Sequence, residues 1–262
     1  MKAIILAAGM GTRLDKYTKN LPKGMLNFAG KSLIQRQVET LRSCGITDIS
    51  IITGYMPDKV NIKKVKYYNN PDFGNTNMVA SLFCAEQELN DEVLVCYADI
   101  LYEKRIIQQI LDSDVDIGVT TDNSYWPYWQ ARLDNPEEDV ESFIIQDDKV
   151  VELGTPDCKL EKARTRYVGL IKFSKKGVKA LKKVYNENKE KFWDKDVPWL
   201  NSKSFKKAYM TDMIQSLINK NHEVNPIIIS NGWMEFDTNE DYEKATKWLK
   251  ENNLNRFYNP NA

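Results

Sequence analysis

The chain has 262 residues, with 37 lysines and arginines against 37 aspartates and glutamates, so its formal net charge is zero. A hydrophobic content of 42% with 28% charged residues excludes a disordered chain, and the zero charge argues against a nucleic-acid-binding protein. The solitary histidine, His222, excludes multi-histidine metal sites and leaves a single position for a histidine-activated nucleophile.

The first 121 residues alternate apolar runs with amphipathic segments. Residues 3–7 form a continuous apolar run that ends in glycines, as a buried parallel strand does. Ser32 is predicted to cap a helix that ends at Gly45. The further elements expected in chain order are strands over 49–53 and 65–68, a helix over 77–89, a strand over 93–97, a helix over 103–111 and a strand over 115–120. These repeated strand-helix-strand units predict a parallel sheet with right-handed crossovers.

The pattern changes after residue 121. The aromatic segment 125–129 and the apolar runs on either side of the turn 146–149 predict antiparallel hairpins. The remaining elements expected in chain order are a strand over 167–173, helices over 175–189 and 213–218, a strand over 227–229 and a helix over 241–249. The predicted fold class is therefore α/β, a Rossmann-like mixed and mostly parallel sheet with a small antiparallel insertion, within one domain spanning 1–262.

The turn after the first strand, residues 6–14, is the most informative stretch of the sequence. Its Gly-x-Gly pattern lets backbone amides approach a phosphate closely, and Arg13 and Lys23 add positive charge. A Rossmann dinucleotide loop is disfavoured because Leu14 stands where that fingerprint has its third glycine. The alternative is an ordinary strand-to-helix turn with two surface cations. The nucleotide contacts predicted in this turn are Leu6, Ala7, Ala8, Gly9, Gly11 and Thr12.

This turn, followed by Pro22-Lys23, resembles the signature of the NTP-transferase superfamily of nucleotidyltransferases. Segments that follow the same family order over about residues 1–250 are Gly54-Tyr55, Tyr97-Ala98-Asp99, Tyr167-Val168-Gly169 and Glu235-Phe236-Asp237. The resemblance implies a fold like that of nucleotide-diphospho-sugar transferases, dependence on Mg²⁺, and attack of an acceptor phosphate on the α-phosphate of a nucleoside triphosphate. It implies catalytic roles for Arg13 and Lys23 and nucleotide binding by Gly54 and Tyr55. The nucleotide-binding half would span about 1–121, and the acceptor-binding insertion and return about 122–262.

Two carboxylates are the main candidates for metal binding. Asp99 comes just after a buried strand, where open α/β sheets place their ligands. Asp237 resembles the second metal carboxylate of the superfamily, and Glu235 shares its face if the segment is extended. The alternatives are a turn aspartate at Asp99 and a helix-capping role for Asp237 or Thr238.

The polar segment 72–82 precedes a predicted helix and resembles the Asn-rich segment of cytidylyltransferases. Amide and hydroxyl groups can pair with the edges of a base, but the same residue types are also common in turns and helix caps. CTP is favoured over UTP by this resemblance. The base contacts predicted here are Asn75, Thr76, Asn77 and Ser81.

The antiparallel insertion is the expected acceptor site. Tyr128 and Trp129 would form an aromatic cage suited to a quaternary ammonium group, and Arg132 and Arg166 would suit a carboxylate or a second phosphate. Gly169 opens the return strand and completes the predicted acceptor contacts. Ordinary core packing is the alternative for the aromatic residues.

The sequence thus predicts a Mg²⁺-dependent cytidylyltransferase that acts on CTP and a small phosphorylated acceptor. Within the superfamily the resemblance is to enzymes of bacterial surface-polysaccharide pathways, and the acceptor expected from it is phosphoglutamine, for capsule modification. Alternatives are a sugar-1-phosphate or phosphocholine nucleotidyltransferase and, from another class, an inactive nucleotide-binding regulatory subunit.

The remaining expectations concern the environment of the chain. No apolar run reaches the length of about 18 residues that a membrane span needs, and residues 1–6 lack signal-peptide organisation, so we expect a cytoplasmic protein without a membrane partner. The four cysteines show no CxxC spacing and are expected to be reduced. We expect a monomer or a homodimer.

Overall fold

The computed structural model describes residues 1–262 and contains 13 β-strands and eight α-helices. The strands are β1 (Lys2–Ala7), β2 (Asn27–Phe28), β3 (Lys31–Ser32), β4 (Ile49–Thr53), β5 (Lys66–Asn69), β6 (Val93–Tyr97), β7 (Ile100–Tyr102), β8 (Ile117–Asp122), β9 (Glu141–Gln146), β10 (Lys149–Pro156), β11 (Arg166–Phe173), β12 (Asn225–Ile229) and β13 (Trp233–Glu235). The helices are α1 (Asp15–Thr18), α2 (Leu33–Ser43), α3 (Met78–Phe83), α4 (Lys104–Asp112), α5 (Trp126–Arg132), α6 (Lys175–Phe192), α7 (Met210–Asn219) and α8 (Asn239–Lys250).

A seven-stranded sheet in the order β12-β8-β11-β6-β1-β4-β5 forms the centre of the molecule. β1 pairs in parallel with β4 and β6, and β12 pairs in parallel with β8. β11 is the one reversed strand, since it runs antiparallel to both β6 and β8. The predicted fold class, a Rossmann-like and mostly parallel mixed sheet, is confirmed.

The central strands are apolar throughout because both faces of the sheet are covered. On β1, Ala3 and Ile5 belong to a cluster of 39 buried residues, while Ile4 belongs to a second cluster of 30 on the opposite face. Side chains alternate between faces along a strand, so an uninterrupted apolar run is what a doubly covered strand requires. This explains why the strands of the first half were predictable.

The smaller sheets include the hairpin of β9 and β10, which was predicted, and the pair formed by β13 and β7. The predicted antiparallel strand over 125–129 is wrong, because this segment forms α5. Pro127 lies in the first turn of that helix, where its missing N–H is not needed. In a strand the same proline would remove a ladder hydrogen bond, so Pro127 favours the first turn of a helix over a strand.

The predicted helix over 77–89 is shorter than expected. α3 ends at Phe83, and a single 3₁₀ turn over Glu86–Glu88 follows it. Glu88 is turned inward, where it contacts Lys2 and Lys66 at the amino-terminal end of the sheet. The helix thus gives way to a turn in which the buried Glu88 side chain pairs with two partly exposed lysines.

The four cysteines are unpaired, and Cys96 is fully buried in β6. None of the eight helices combines the length and the apolar character that crossing a membrane would require. The carboxyl ends of β1 and β6 lie side by side, because Leu6 is paired with Tyr97. Whatever follows these two strands therefore meets at one edge of the sheet.

Candidate active site

The glycine turn after β1 forms an open loop at that edge. Gly11 adopts a left-handed backbone conformation with φ of 64°, and a Cβ atom added there would lie 2.9 Å from Lys23 Cβ. A Cβ atom added at Gly9 would meet no protein atom within 4 Å, so the space in front of this residue is free. Gly11 is required by the fold, whereas Gly9 leaves its backbone accessible to a ligand.

Lys23 joins the two predicted metal carboxylates. Its Nζ donates hydrogen bonds to Asp99 Oδ2 at 2.6 Å and to Asp237 Oδ1 at 2.5 Å. Arg13 approaches the same carboxylate, with its Nη2 3.2 Å from Asp237 Oδ1. Four residues that the sequence singled out are thus brought together at one point.

The pairing of β13 with β7 is what brings Asp237 beside Asp99. Glu235 is paired with Ile100, and the backbone N–H of Phe236 donates to the Asp99 carbonyl at 3.0 Å. Asp99 precedes β7 and Asp237 follows β13. Because these two strands are antiparallel neighbours, the two aspartates lie at the same end of the pair. Of the two candidates for a capping role, Thr238 caps α8 and Asp237 does not. Asp99 lies in the turn between β6 and β7, and its carboxylate accepts a hydrogen bond from Lys23.

The electrostatics of this cluster favour its charged form. Burial alone would lower the pKa of Lys23, but the negative charges of Asp99 and Asp237 outweigh this effect and raise it above its ordinary value. Burial would raise the pKa of Asp237, yet Lys23, Arg13 and Arg132 lower it well below its usual range. Asp237 is thereby held in its negatively charged form.

The donor set at Asp99 and Asp237 fits a Mg²⁺ ion. Two carboxylates converge on one point that already carries a positive charge, the Lys23 ammonium, and both are hard oxygen donors. No cluster of three or more acidic, histidine or cysteine side chains has the geometry of a complete metal site. Two carboxylates are what a protein typically contributes to a Mg²⁺ site that phosphates and water complete.

Glu235 lies apart from this point. Its Oε1 accepts a hydrogen bond from Arg132 Nη1, and burial raises its pKa above the ordinary value. Glu235 lines the same cavity as Asp237 but is held by the arginine, not by Lys23. Its predicted role as a third metal carboxylate remains a prediction.

A cavity of about 680 Å³ opens above the glycine loop and the aspartates, a volume within the usual range for small-ligand sites. Thr76, Asn77 and Ser81 line it, as predicted for base contacts. Asn70, which the sequence analysis missed, donates to the hydroxyl oxygens of Thr76 and Ser81, both at 2.9 Å. Its position directly after a strand was the available signal.

Three predicted nucleotide contacts lie elsewhere and correct the sequence analysis. Gly54 packs against the loop from behind, since an added Cβ would lie 2.7 Å from the Ala8 carbonyl oxygen. Tyr55 donates its backbone N–H to that same carbonyl at 3.1 Å. Asn75 is bonded to Asp72 and borders a separate, smaller surface cavity. Gly54 and Tyr55 therefore support the loop without reaching the cavity.

The structure brings only two of the five predicted acceptor contacts to the cavity. Arg166 and Gly169 line the cavity, whereas Tyr128, Trp129 and Arg132 do not. These three are at most 2% exposed, and the Trp129 ring is flanked by the guanidinium groups of Arg132 at 4.6 Å and Arg166 at 4.2 Å. The expected aromatic cage is wrong, because packing of α5 against β13 and α8 buries its members.

Several cavity residues were not predicted. Glu141 begins β9 and faces the cavity together with Arg166, but their ion pair is as long as 4.0 Å. Burial raises the pKa of Glu141. The other polar residues on this wall come from distant segments without a local motif, and they are Asn201, Tyr209 and Thr211.

The fold and this site define an α/β protein with one carboxylate, Asp99, after the parallel strand β6 and a second, Asp237, after the antiparallel strand β13. A family model described as the MobA-like NTP transferase domain matches residues 3–191. The chain belongs to this family and is a nucleotidyltransferase. The resemblance inferred from the sequence is thereby confirmed.

Similar proteins carry the comparison further. The chain is 32% identical over 254 residues to the CTP:phosphoglutamine cytidylyltransferase of Campylobacter jejuni, a match that covers 93% of this chain and 98% of that protein. It is 38% identical over 107 residues to the choline-phosphate cytidylyltransferase of Streptococcus pneumoniae, covering 39% of this chain and 47% of the relative.

Solved structures share the fold. The CTP:phosphocholine cytidylyltransferase of Streptococcus pneumoniae matches with a TM-score of 0.73 at 23% identity, over 95% of this chain and 98% of that one. A Bacillus anthracis protein assigned as a glucose-1-phosphate thymidylyltransferase matches with a TM-score of 0.68 at 21% identity, over 96% of both chains.

Proposed function

We propose that this chain is a Mg²⁺-dependent cytidylyltransferase that transfers CMP from CTP to a small phosphorylated acceptor, with phosphoglutamine as the favoured acceptor. The observation that carries the proposal is the cluster in which Lys23 joins Asp99 and Asp237 beside the open loop of Gly9. The similarity to the phosphoglutamine enzyme over nearly the whole chain supports the choice of nucleotide and acceptor.

The reaction requires little proton transfer. An oxygen of the acceptor phosphate attacks the α-phosphorus of CTP, the bond from that phosphorus to the bridging oxygen of the β-phosphate breaks, and pyrophosphate leaves with the electron pair. The nucleophile is already an anion, so a general base is unnecessary, in keeping with a chain whose one histidine, His222, lies outside the cavity. Two polyanions must instead be held in line and their charge offset.

The residues of the chain supply that positioning. Lys23 and Arg13 would neutralise charge on the phosphates, and the free backbone at Gly9 would approach their oxygens. Asp99 and Asp237 would hold Mg²⁺, which when bound would offset the negative charge that develops on the phosphates. Thr76, Asn77 and Ser81 offer the polar edge for the cytosine base.

The acceptor wall supports a zwitterionic substrate. Glu141 and Arg166 both line the cavity and are paired only loosely, at 4.0 Å. A carboxylate and a guanidinium group that are only loosely paired with each other can bind the ammonium and carboxylate groups of an amino-acid phosphate. Phosphoglutamine carries both groups, whereas a hexose 1-phosphate carries neither. Use of the product in capsule modification is part of the same proposal.

The proposal is tested by measuring pyrophosphate release with CTP, ATP, GTP, UTP or dTTP against a panel of phosphorylated acceptors, with and without Mg²⁺. The panel should include phosphoglutamine, phosphocholine and glucose 1-phosphate. We expect turnover with CTP and phosphoglutamine that stops when Mg²⁺ is chelated. Preference for UTP or dTTP with the hexose phosphate contradicts the cytidylyl assignment, and a phosphocholine preference contradicts the acceptor. Absence of turnover with every pair favours an inactive regulatory subunit.

A further inference from the structure

Arg132, at the end of α5, is a buried cation whose role is not explained by acceptor binding. It is 2% exposed. Its Nε and Nη2 donate to the two carboxylate oxygens of Asp241, each at 2.9 Å. This two-pronged pairing fixes the plane and the position of the guanidinium group.

The remaining donors of Arg132 point toward the active site. Nη1 donates to Glu235 Oε1, and Nη2 lies 3.4 Å from Asp237 Oδ2. The two oxygens of Asp237 are thereby divided, because Oδ1 faces Lys23 and Arg13 while Oδ2 faces Arg132. A rotation of the Asp237 carboxylate would break one set of these contacts, so its orientation is fixed from both sides.

Asp241 fixes the backbone of the same residue. Its Oδ2 accepts hydrogen bonds from the N–H groups of Asp237 at 2.8 Å and Thr238 at 2.9 Å. Tyr128, one turn before Arg132 on α5, both accepts from the Glu235 N–H at 3.0 Å and donates to the Glu235 carbonyl at 3.3 Å. Side chains of α5 and α8 therefore hold the short segment 235–238 at its backbone and its carboxylates.

We propose that Arg132 is a positioning residue that sets the divalent-cation affinity of the site by holding the Asp237 carboxylate toward Asp99. The proposal rests on the part of the proposed function that assigns metal binding to these two aspartates. Groups that orient metal ligands typically change metal affinity or activity about 10- to 100-fold when they are altered. Arg132 cannot be replaced by a lysine without loss, because an ammonium is a point charge without the fork that spans Asp241 and Asp237.

Mn²⁺ binding followed by electron paramagnetic resonance tests this, first with the protein alone and then with CTP but no acceptor. In Arg132→Lys we expect the Mn²⁺ dissociation constant to rise by about 10-fold or more and kcat to fall to a similar degree, with KM for the acceptor nearly unchanged. Glu88→Gln is the matched control, since it also breaks the ion pairs of a buried side chain, but at the opposite end of the sheet. It should lower stability and leave Mn²⁺ affinity at the wild-type value.

Unchanged Mn²⁺ affinity and kcat in folded Arg132→Lys, with only a lower melting temperature, would overturn the proposal. If that variant does not fold, Asp241→Asn decides, because it weakens the two-pronged pairing that fixes the Arg132 guanidinium group. It should then shift Mn²⁺ affinity in the same direction by a smaller factor. If the affinity does not shift, the proposal is overturned.

A wild-type protein that binds no Mn²⁺ with or without CTP also overturns it. Wild-type Mn²⁺ binding without any cytidylyl transfer contradicts only the proposed function.

Discussion

Lys23 and Asp237 are 214 residues apart in the chain, yet Lys23 Nζ donates a 2.5 Å hydrogen bond to Asp237 Oδ1. The same ammonium also binds Asp99, so one side chain neutralises two carboxylates that would otherwise repel each other. In this structure the lysine therefore occupies the place where the carboxylates can share a cation. Because Lys23 contacts both carboxylates, its removal should change both the stability of the protein and the rate of the reaction.

Replacing Lys23 by methionine tests this connection. Without the ammonium, Asp99 and Asp237 face each other with no shared cation, and loss of one partner of a buried pair typically costs about 3–5 kcal/mol. We expect a lower melting temperature in Mg²⁺-free buffer, partial recovery when Mg²⁺ is added, and a decrease in kcat of about 10²- to 10³-fold.

Lys16→Met is the control for the lysine variant, because Lys16 pairs with Glu243 on the surface. It should leave both turnover and the response of the melting temperature to Mg²⁺ at wild-type values. Normal turnover of Lys23→Met, or a melting temperature that Mg²⁺ raises no more than it does in the wild type, would show that the lysine has no role at this site.

Asp99→Asn is expected to abolish turnover with little loss of stability. The amide retains the shape of the side chain and can accept the hydrogen bond from Lys23, but it is a weaker ligand for Mg²⁺. Steady-state rates and thermal unfolding measured on the same preparation check this. Asp91→Asn, an exchange at a surface residue outside the cavity, is the control. A near-wild-type rate in Asp99→Asn would refute the metal assignment.

Gly9→Ala separates ligand contact from folding. The added methyl meets no protein atom within 4 Å, so the free energy of unfolding should change by less than about 0.5 kcal/mol. If nucleotide phosphates approach the backbone here, the methyl group obstructs them, and KM for CTP should rise by about 10-fold or more, a loss of roughly 1.4 kcal/mol.

Gly74→Ala is the matched control for that exchange, since its Cβ also meets open space but the residue does not line the cavity. CTP binding by this variant should equal that of the wild type. A Gly9→Ala enzyme with an unaltered KM for CTP would place the phosphates elsewhere.

Glu88 should make the free energy of unfolding depend on pH in the acid range. Burial alone would raise its pKa, but hydrogen bonds from Tyr68, Lys2 and Lys66 lower it from 4.5 to about 2. Because the folded value lies below the unfolded one, the stabilisation is present above pH 4.5 and is lost as the pH falls toward 2. A shift of this size corresponds to about 3 kcal/mol.

Urea unfolding between pH 2 and 7 measures this contribution. Glu88→Gln should be less stable than the wild type at pH 7, and the difference should shrink as the pH approaches 2. Glu137→Gln, at an exposed position, serves as the reference and should follow the wild-type curve. A constant difference between Glu88→Gln and wild type across this range would contradict the assigned pKa.

The sheet and the phosphate loop were predictable because their signals are local. The apolar run of β1, the glycines after it and the polar residue at the end of β6 each have a physical reason that can be seen within ten residues. The family resemblance singled out Lys23 and Asp99 for separate roles, and their direct contact is visible only in the structure. Local pattern and resemblance together thus gave the centre of the site.

The periphery was less predictable because it depends on packing between distant segments. Tyr128 and Trp129 have the composition of an aromatic cage, but only the docking of α5 against α8 decides that they are buried. Arg132 is a cation in a predicted acceptor region, and its partner Asp241 lies 109 residues later. Nothing in the sequence around either residue indicates that they meet.

The central claim is nucleotidyl transfer at the cluster of Lys23, Asp99 and Asp237. It is tested most directly by incubating the enzyme with CTP labelled at either the α- or the γ-phosphate, together with the acceptor that gives the fastest pyrophosphate release. Separation of the products shows where each label goes. The account predicts α-label in a CMP-acceptor conjugate and γ-label in pyrophosphate, with neither product formed by Asp99→Asn. Transfer of γ-label to the acceptor, or α-label found only in free CMP, would contradict it.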